Sequence, residues 1–218
     1  MKKFLIVFIL CLAVIFCACD NQIESIVFNN MSDMRTNYFY GEAQGVFAEL
    51  SSGVREEQFF YDGVSANKVD CAVLSVGFVV PNNKSSLKAS VDINGKKNEV
   101  ILYHSPYEDL FMADLGRKVD DDSQIKLTVG DFVVVLENKS SSWKVGYIQA
   151  IEIGAKNLQT ELERLFFNGK LNAEGYLKIV YEREFNVVYW YFSIIDRSGK
   201  RYSLLIDVET GKVVESEK

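Results

Sequence analysis

The chemistry open to this 218-residue chain is limited by its single histidine, His104. Every mechanism that needs two imidazoles is therefore excluded. His104 lies next to Ser105, and adjacent side chains do not easily reach each other in the geometry of a Ser-His-Asp triad. The sequence also lacks a Gly-x-Ser-x-Gly elbow that would expose another serine. The pattern favours a loop histidine near Pro106 over a catalytic base.

Carboxylates are the other candidates for chemistry, since the chain has 30 acidic residues. A glycoside hydrolase would need two of them roughly 5 to 10 Å apart in a cleft, which a sequence does not show. The run Asp120-Asp121-Asp122 lacks the alternating oxygen ligands and the glycine of a calcium loop, so it predicts a solvated turn. Arg55 is expected to form surface ion pairs with Glu42 or Asp62. We expect no metal and no cofactor.

The amino terminus has the layout of a secretion signal. Lys2 and Lys3 precede an unbroken apolar run from Phe4 to Cys19, and the first polar residue after it is Asp20. A helix of about sixteen residues rises roughly 24 Å, less than the ~30 Å hydrocarbon core, so a permanent membrane anchor is the weaker interpretation.

The end of this run resembles a bacterial lipobox, in which a small residue precedes a cysteine that is acylated and becomes the mature amino terminus. Ala18 and Cys19 fit that pattern, whereas Phe16 departs from the usual aliphatic residue. The resemblance implies a signal peptide over 1–18, lipid on Cys19 and a protein anchored at the extracytoplasmic face of the cell membrane. Ordinary cleavage at a small-residue site remains the alternative.

Cleavage before Cys19 removes Lys2 and Lys3 and leaves 22 basic against 30 acidic residues, a formal charge of −8. The basic residues are scattered along the chain, so nucleic acid is not an expected partner. Of the four cysteines, Cys71 is then the only one that is neither removed nor lipidated. It lies in an apolar strand pattern, which predicts a buried small hydrophobe rather than a nucleophile.

The pattern of the mature chain is mainly β. Residues 19–36 are polar and predict a lipidated tether. Residues 37–148 hold short runs rich in Val, Ile, Phe and Tyr between turn-forming clusters, which is typical of an immunoglobulin-like antiparallel β-sandwich. Its clearest hairpin joins two strands through Asn94-Gly95. The other strands are expected at Gly45–Leu50, Gln58–Tyr61, Val69–Val80, Leu110–Asp114, Gln124–Val129 and Asp131–Leu136.

Residues 149–218 predict a small α+β unit. Apolar residues recur at helical spacing from Ile151 to Phe166, and Asn168-Gly169 supplies a stop. Gly154 weakens the start of that helix. Strand-like runs then follow at Gly175–Phe185, Val187–Ile195 and Lys200–Val208.

The tail from Tyr202 to Val214 contains Asp207 followed by Thr210-Gly211-Lys212-Val213, and it resembles the last hairpin of a PepSY-type module. The resemblance implies a PepSY-like domain with a protein-binding or inhibitory role. The amino-terminal part resembles uncharacterised lipoproteins of Gram-positive bacteria through Phe39-Tyr40-Gly41-Glu42 and Ser52-Gly53-Val54-Arg55-Glu56, which implies no activity.

Aromatic residues alternate along the strand Val187–Ile195. Tyr189 and Tyr191 are expected on one face and Trp190 and Phe192 on the other. One face packs on the helix. The other either docks against the sandwich or presents Tyr189 and Tyr191, with Tyr202 nearby, to a partner.

These patterns lead to three functional hypotheses. The first is a non-enzymatic, membrane-tethered module that binds an extracytoplasmic protein or peptide. The second is an envelope hydrolase that uses paired carboxylates, and the third is a structural or assembly lipoprotein of the cell envelope. A polar cluster in a deep pocket would favour the enzyme, and an open sheet edge would favour binding.

The lipobox resemblance generates a direct test. Cys19→Ser removes the only thiol that the lipobox pattern marks for acylation, so metabolic labelling with a fatty acid should be lost and the product should change mobility. The matched control is Cys17→Ser, which lies in the same run and should retain the label. Wild-type protein without label would contradict lipidation.

Overall fold

Strands, most of them paired antiparallel, make up more than half of the residues that this computed structural model describes, which are 23–57, 65–80, 82–106, 109–168 and 170–217, with the backbone alone for 215–217. The strands are β1 (Met31–Ala43), β2 (Val46–Glu56), β3 (Lys68–Phe78), β4 (Ser86–Ile93), β5 (Lys96–His104), β6 (Phe111–Asp114), β7 (Ile125–Val129), β8 (Phe132–Asn138), β9 (Phe166–Phe167), β10 (Lys170–Leu171), β11 (Ala173–Glu182), β12 (Val187–Asp196), β13 (Arg201–Asp207) and β14 (Val213–Glu217). Helix α1 covers residues 23–29. Helices α2 (Tyr147–Asn157) and α3 (Gln159–Leu165) follow the first eight strands.

The first eight strands close into a barrel. Their order is β1-β2-β3-β6-β5-β4-β7-β8, and β8 pairs back onto β1 at Phe39 with Asn138 and at Tyr40 with Glu137. The prediction of mainly antiparallel β structure is confirmed, but the prediction of a two-sheet sandwich is wrong. The physical reason is that alternation predicts which side chains face inward and does not encode whether the last strand meets the first.

The barrel interior is filled by side chains. Inward-facing residues such as Leu50, Leu74 and Leu127 have no exposed surface, and the outward residues between them are polar or half-buried. The hairpin at Asn94-Gly95 is confirmed: both residues have positive φ, 54° and 79°, and Ile93 pairs with Lys96.

Strand β1 pairs with both β11 and β8. Its first residues, Met31 to Met34, pair in parallel with Gly175 to Leu177 of β11, and its later residues pair with β8. The sheet therefore continues from the barrel through β11, β12, β13 and β14. In contrast to the predicted tether, residues 23–36 form α1 and the start of β1, and Val27 and Met31 are buried in a second hydrophobic core, separate from the barrel interior. Two features explain why this polar segment is ordered. Val27 is buried in the second core, and Asp33 forms an ion pair with Arg35.

The second core lies between the helices and one face of β11, β12 and β13. Trp190 and Phe192 face the helices as predicted, and the Trp190 Nε1–H donates a hydrogen bond to the Val145 carbonyl at 2.8 Å. The predicted single helix is divided at Leu158 into α2 and α3. Gly154 lies in α2 where the helix approaches the sheet, and a Cβ atom there would overlap the Phe192 ring.

Several predicted features lie outside the described residues: the signal over 1–18, Cys19, the strand Gln58–Tyr61, Asp62 and Gly169. No helix in the described ranges is long and apolar enough to cross a membrane.

The close approach at Gly154 predicts that Gly154→Ala lowers stability. Alanine favours an isolated helix by about 1 kcal/mol, but overpacking against the Phe192 ring costs about 1 to 3 kcal/mol. We expect urea melts to show a lower free energy of unfolding for Gly154→Ala. In a Phe192→Leu background, the same substitution should be neutral or stabilising because space is then available. An increase in stability in the wild-type background would contradict this packing.

Candidate functional site

A polar groove lies where β1 leaves β11 to join the barrel. The pairing of β1 with β11 ends at Met34 and Leu177, and the two strands diverge beyond that point. The groove has a volume of about 410 Å³. Its lining comes from the outer barrel face and from β11: Asp33, Arg35, Tyr38, Glu49, Ser51, Arg55, Val73, Ser75, Leu110, Met112, Lys178 and Ile179.

An ion pair between two nearly buried side chains forms one end of the groove. The Arg35 guanidinium contacts Asp33 through Nε to Oδ1 at 2.8 Å and donates from Nη2 to Oδ2 at 3.1 Å. Asp33 is 2% exposed and Arg35 is 6% exposed. The Lys178 ammonium is half exposed and lies 3.7 Å from Asp33 Oδ2. Because desolvation offsets much of the attraction in a buried pair, this arrangement is not explained by stability alone.

Local sequence places these charges on one face of β1. Asp33 and Arg35 are two residues apart, so strand alternation directs both side chains outward from the barrel. A register shift between Arg35 and Asn37 re-aims the strand just after the pair. Gly53 lies opposite Arg35 on β2, and a side chain there would collide with the β1 backbone. The glycine therefore permits the close approach that buries Arg35.

Cys71 lies beneath Arg35 and is buried, as the sequence predicted. Arg35 Nη1 donates to the Cys71 sulfur at 3.2 Å. Burial raises the pKa of the Cys71 thiol, although the Arg35 charge acts in the opposite direction. The thiol is therefore protonated near neutral pH and serves as a weak acceptor rather than a nucleophile.

Aromatic rings connect the groove to the second core. Tyr38 stacks on Trp143 with ring centroids 5.8 Å apart, and Trp143 meets Trp190 edge to face at 5.2 Å. Burial, reinforced by the Glu49 carboxylate, raises the pKa of the Tyr38 phenol far above its ordinary value. Tyr38 thus presents a neutral hydroxyl at physiological pH.

The three predicted partner-binding tyrosines do not share one face. Tyr189 and Tyr191 lie together, half-buried, on the face away from the helices. The hydroxyls of Tyr191 and Ser203 share a hydrogen bond at 2.9 Å. Tyr202 pairs with Ile194 and packs against the second core, so it lies on the opposite face. The sequence could not assign Tyr202 because the register of β12 and β13 was unknown.

The remaining sequence candidates are dispersed. His104 is the last residue of β5, and its Nε2 lies 3.3 Å from Asp109 Oδ1. Arg55 pairs with Asp114 at 2.6 Å, whereas Glu42 accepts a hydrogen bond from Tyr40. No group of three or more His, Cys, Asp or Glu residues in the described ranges has the geometry to hold a metal.

The sequence patterns do not predict the central residues of the groove, Asp33, Arg35 and Lys178. The spacing of Asp33 and Arg35 was a usable signal, because two opposite charges on one strand face often pair. Lys178 gave no signal, since only the parallel pairing of β1 with β11 brings it to Asp33.

The arrangement is suited to binding. It offers fixed donors and acceptors in a concave site, and its carboxylates are already held by cations or lie beside a phenol.

Comparisons with protein families, with curated proteins and with solved structures find no match to this chain.

Proposed function

We propose that this chain is a membrane-tethered lipoprotein, anchored through Cys19 at the extracytoplasmic face, that binds a protein or peptide without catalysing a reaction. The partner would be recognised in the groove between β1 and β11. The main support for this proposal is that β11 has an open edge in the groove, where its backbone is not paired with β1 after Leu177.

The open edge follows from backbone alternation. The Gly175 N–H donates to the Asn30 carbonyl at 2.8 Å, so Gly175 directs its backbone polar groups towards β1. Leu177 and Ile179 direct theirs to the same side, because alternate residues of a strand share an edge. The pairing with β1 ends at Leu177, and Ile179 lines the groove with no partner strand among the described residues. An extended peptide can pair with such an edge.

The groove limits the length of the bound segment. Tyr181 of β11 meets Tyr40 of β1 edge to face with centroids 5.0 Å apart, so the two strands are in contact again four residues after Leu177. The Asp33 and Arg35 pair lies at one end of the groove. The edge from Leu177 to Tyr181 spans roughly 13 Å at ~3.3 Å per residue, enough for three or four peptide residues.

Side chains around the edge supply polar recognition. Lys178 is half exposed and its contact with Asp33 is 3.7 Å, so it can turn to an acidic group of the partner. Ser51, Ser75 and Arg55 line the facing wall. The groove therefore favours a peptide with polar or acidic side chains between its main-chain contacts.

The likeness of the carboxyl-terminal part to a PepSY-type module belongs to the same proposal. It is supported by the order of helices α2 and α3 followed by antiparallel strands, and by the turn at Asp207. There Asp207 Oδ1 accepts hydrogen bonds from the backbone N–H groups of Glu209 and Thr210, and Gly211 has a φ of 71°. The protein-binding role implied by that likeness agrees with the open edge.

The two alternatives have less support. A hydrolase that uses paired carboxylates would need free carboxylates in a cleft, but Asp33 is held by Arg35 and Lys178, and Glu49 adjoins Tyr38. A structural or assembly role would not require a concave site with an unpaired strand edge.

The proposal is tested by selecting peptides from a displayed random library on the fragment 21–218. Selected peptides should bind Ser75→Trp at least about tenfold more weakly, because an indole there would fill the groove. Thr128→Trp is the matched control, since Thr128 is equally half-buried on the outer barrel face but lies on β7, four strands away from β3 and its Ser75 in either direction around the barrel.

Hydrogen exchange of the Ile179 amide provides a second readout. Peptide binding should slow that exchange if the partner pairs with the β11 edge. Peptides that bind Ser75→Trp as well as wild type, with no protection at Ile179, would overturn the groove as the binding site.

A further inference from the structure

A second concave site lies at the mouth of the barrel, at the end where β3 finishes and β4 starts. It has a volume of about 460 Å³ and an apolar lining of Phe78, Leu87, Val129 and Phe132, with Lys84 and Lys88 at its rim. This size falls within the range of small-molecule sites, roughly 300 to 1,000 Å³, and barrel mouths are common places for them.

The apolar lining is only partly covered by the protein. Phe78 and Phe132 are half-buried, and both pack against the barrel core. Phe78 also meets the buried Phe111 edge to face at 6.0 Å, which holds its ring in place. These rings therefore form an apolar floor that an apolar group of a ligand can cover.

The two lysines provide charge at the rim. Lys84 and Lys88 are exposed, and neither forms an ion pair among the described residues. Asp131 follows Gly130 in the neighbouring turn but does not line the site. In a chain with a net charge of −6, two unpaired ammonium groups beside an apolar floor define a local preference for an anion.

We propose that the barrel mouth binds a free small amphiphile, with its apolar chain or ring on Phe78 and Phe132 and its anionic group between Lys84 and Lys88. Charge complementarity at the rim and uncovered apolar surface below it point to the same ligand class. The site is separate from the groove at β11 and does not depend on the function proposed for that groove.

The test uses two fluorescent probes of similar shape on the fragment 21–218: 1-anilinonaphthalene-8-sulfonate, which is anionic, and N-phenyl-1-naphthylamine, which is neutral. We expect one sulfonate probe per chain, displaced by dodecanoate below its micellar concentration. Replacing both lysines, Lys84→Gln with Lys88→Gln, should lower the affinity for the sulfonate probe by about tenfold. The affinity for the neutral probe should change by less than about twofold.

The matched control is Lys96→Gln with Lys97→Gln, which removes two exposed charges at the other end of the β4 and β5 hairpin and should leave both affinities unchanged. Phe132→Ala, checked for folding by its melting curve, should weaken both probes. If it fails to fold, the lysine variants decide alone.

The proposal would be overturned if the Lys84→Gln, Lys88→Gln variant bound the sulfonate probe as tightly as the wild type. It would also be overturned if the Lys96→Gln, Lys97→Gln control lost as much affinity for that probe. Sedimentation with phosphatidylglycerol vesicles distinguishes a membrane surface from a free amphiphile. We expect the wild type and the Lys84→Gln, Lys88→Gln variant to sediment with the vesicles to the same extent. If that variant lost vesicle binding but kept its affinity for dodecanoate, the lysines would serve a membrane surface and the proposal would be overturned.

Discussion

The fold depends on one strand that pairs with three others. Strand β1 bonds to β2 along its length, to β11 at its start and to β8 near its end. The second pairing joins the carboxyl-terminal sheet to the barrel, and the third closes the barrel. A strand has only two edges, and β2 occupies one edge of β1. β11 and β8 must therefore pair with the other edge in succession, so the pairing with β11 ends before the pairing with β8 begins. The groove lies at this point of exchange, so it is a consequence of the topology.

The same strand carries the least expected energetic feature of the structure. Asp33 and Arg35 are almost fully desolvated, and a buried ion pair of this kind is compensated only when its remaining donors and acceptors are used. Arg35 meets that requirement through Asp33, Cys71 and the Ser51 carbonyl. Removing Asp33 would leave the Arg35 charge without its carboxylate partner in a low-dielectric site, which is more destabilising than the absence of both. Removing Arg35 would leave Asp33 beside the Lys178 ammonium, 3.7 Å away. We infer that the pair helps to define the path of β1 where it changes partners.

Local features of the fold were predictable because they depend on neighbouring residues. Asn94-Gly95 predicts its hairpin through its positive φ angles, and the alternation around Trp190 predicts the face that packs on the helices. Barrel closure was not predictable, because the contact of Tyr40 with Glu137 joins distant segments and leaves no periodic pattern. The segment before Thr36 predicts a tether because its Asn, Ser and Asp residues suggest solvent, whereas in the structure Asp33 is buried and paired with Arg35.

We expect β1 to couple the barrel and the second core into one cooperative unit, because it pairs with strands of both. The two tryptophans, Trp143 and Trp190, both lie at the second core and contact each other, so their fluorescence reports on that core. Far-ultraviolet circular dichroism is dominated by the strands, most of which belong to the barrel. Urea unfolding of the fragment 21–218 followed by both signals should give one transition with the same midpoint and slope. Two transitions with separate midpoints would contradict the coupling through β1.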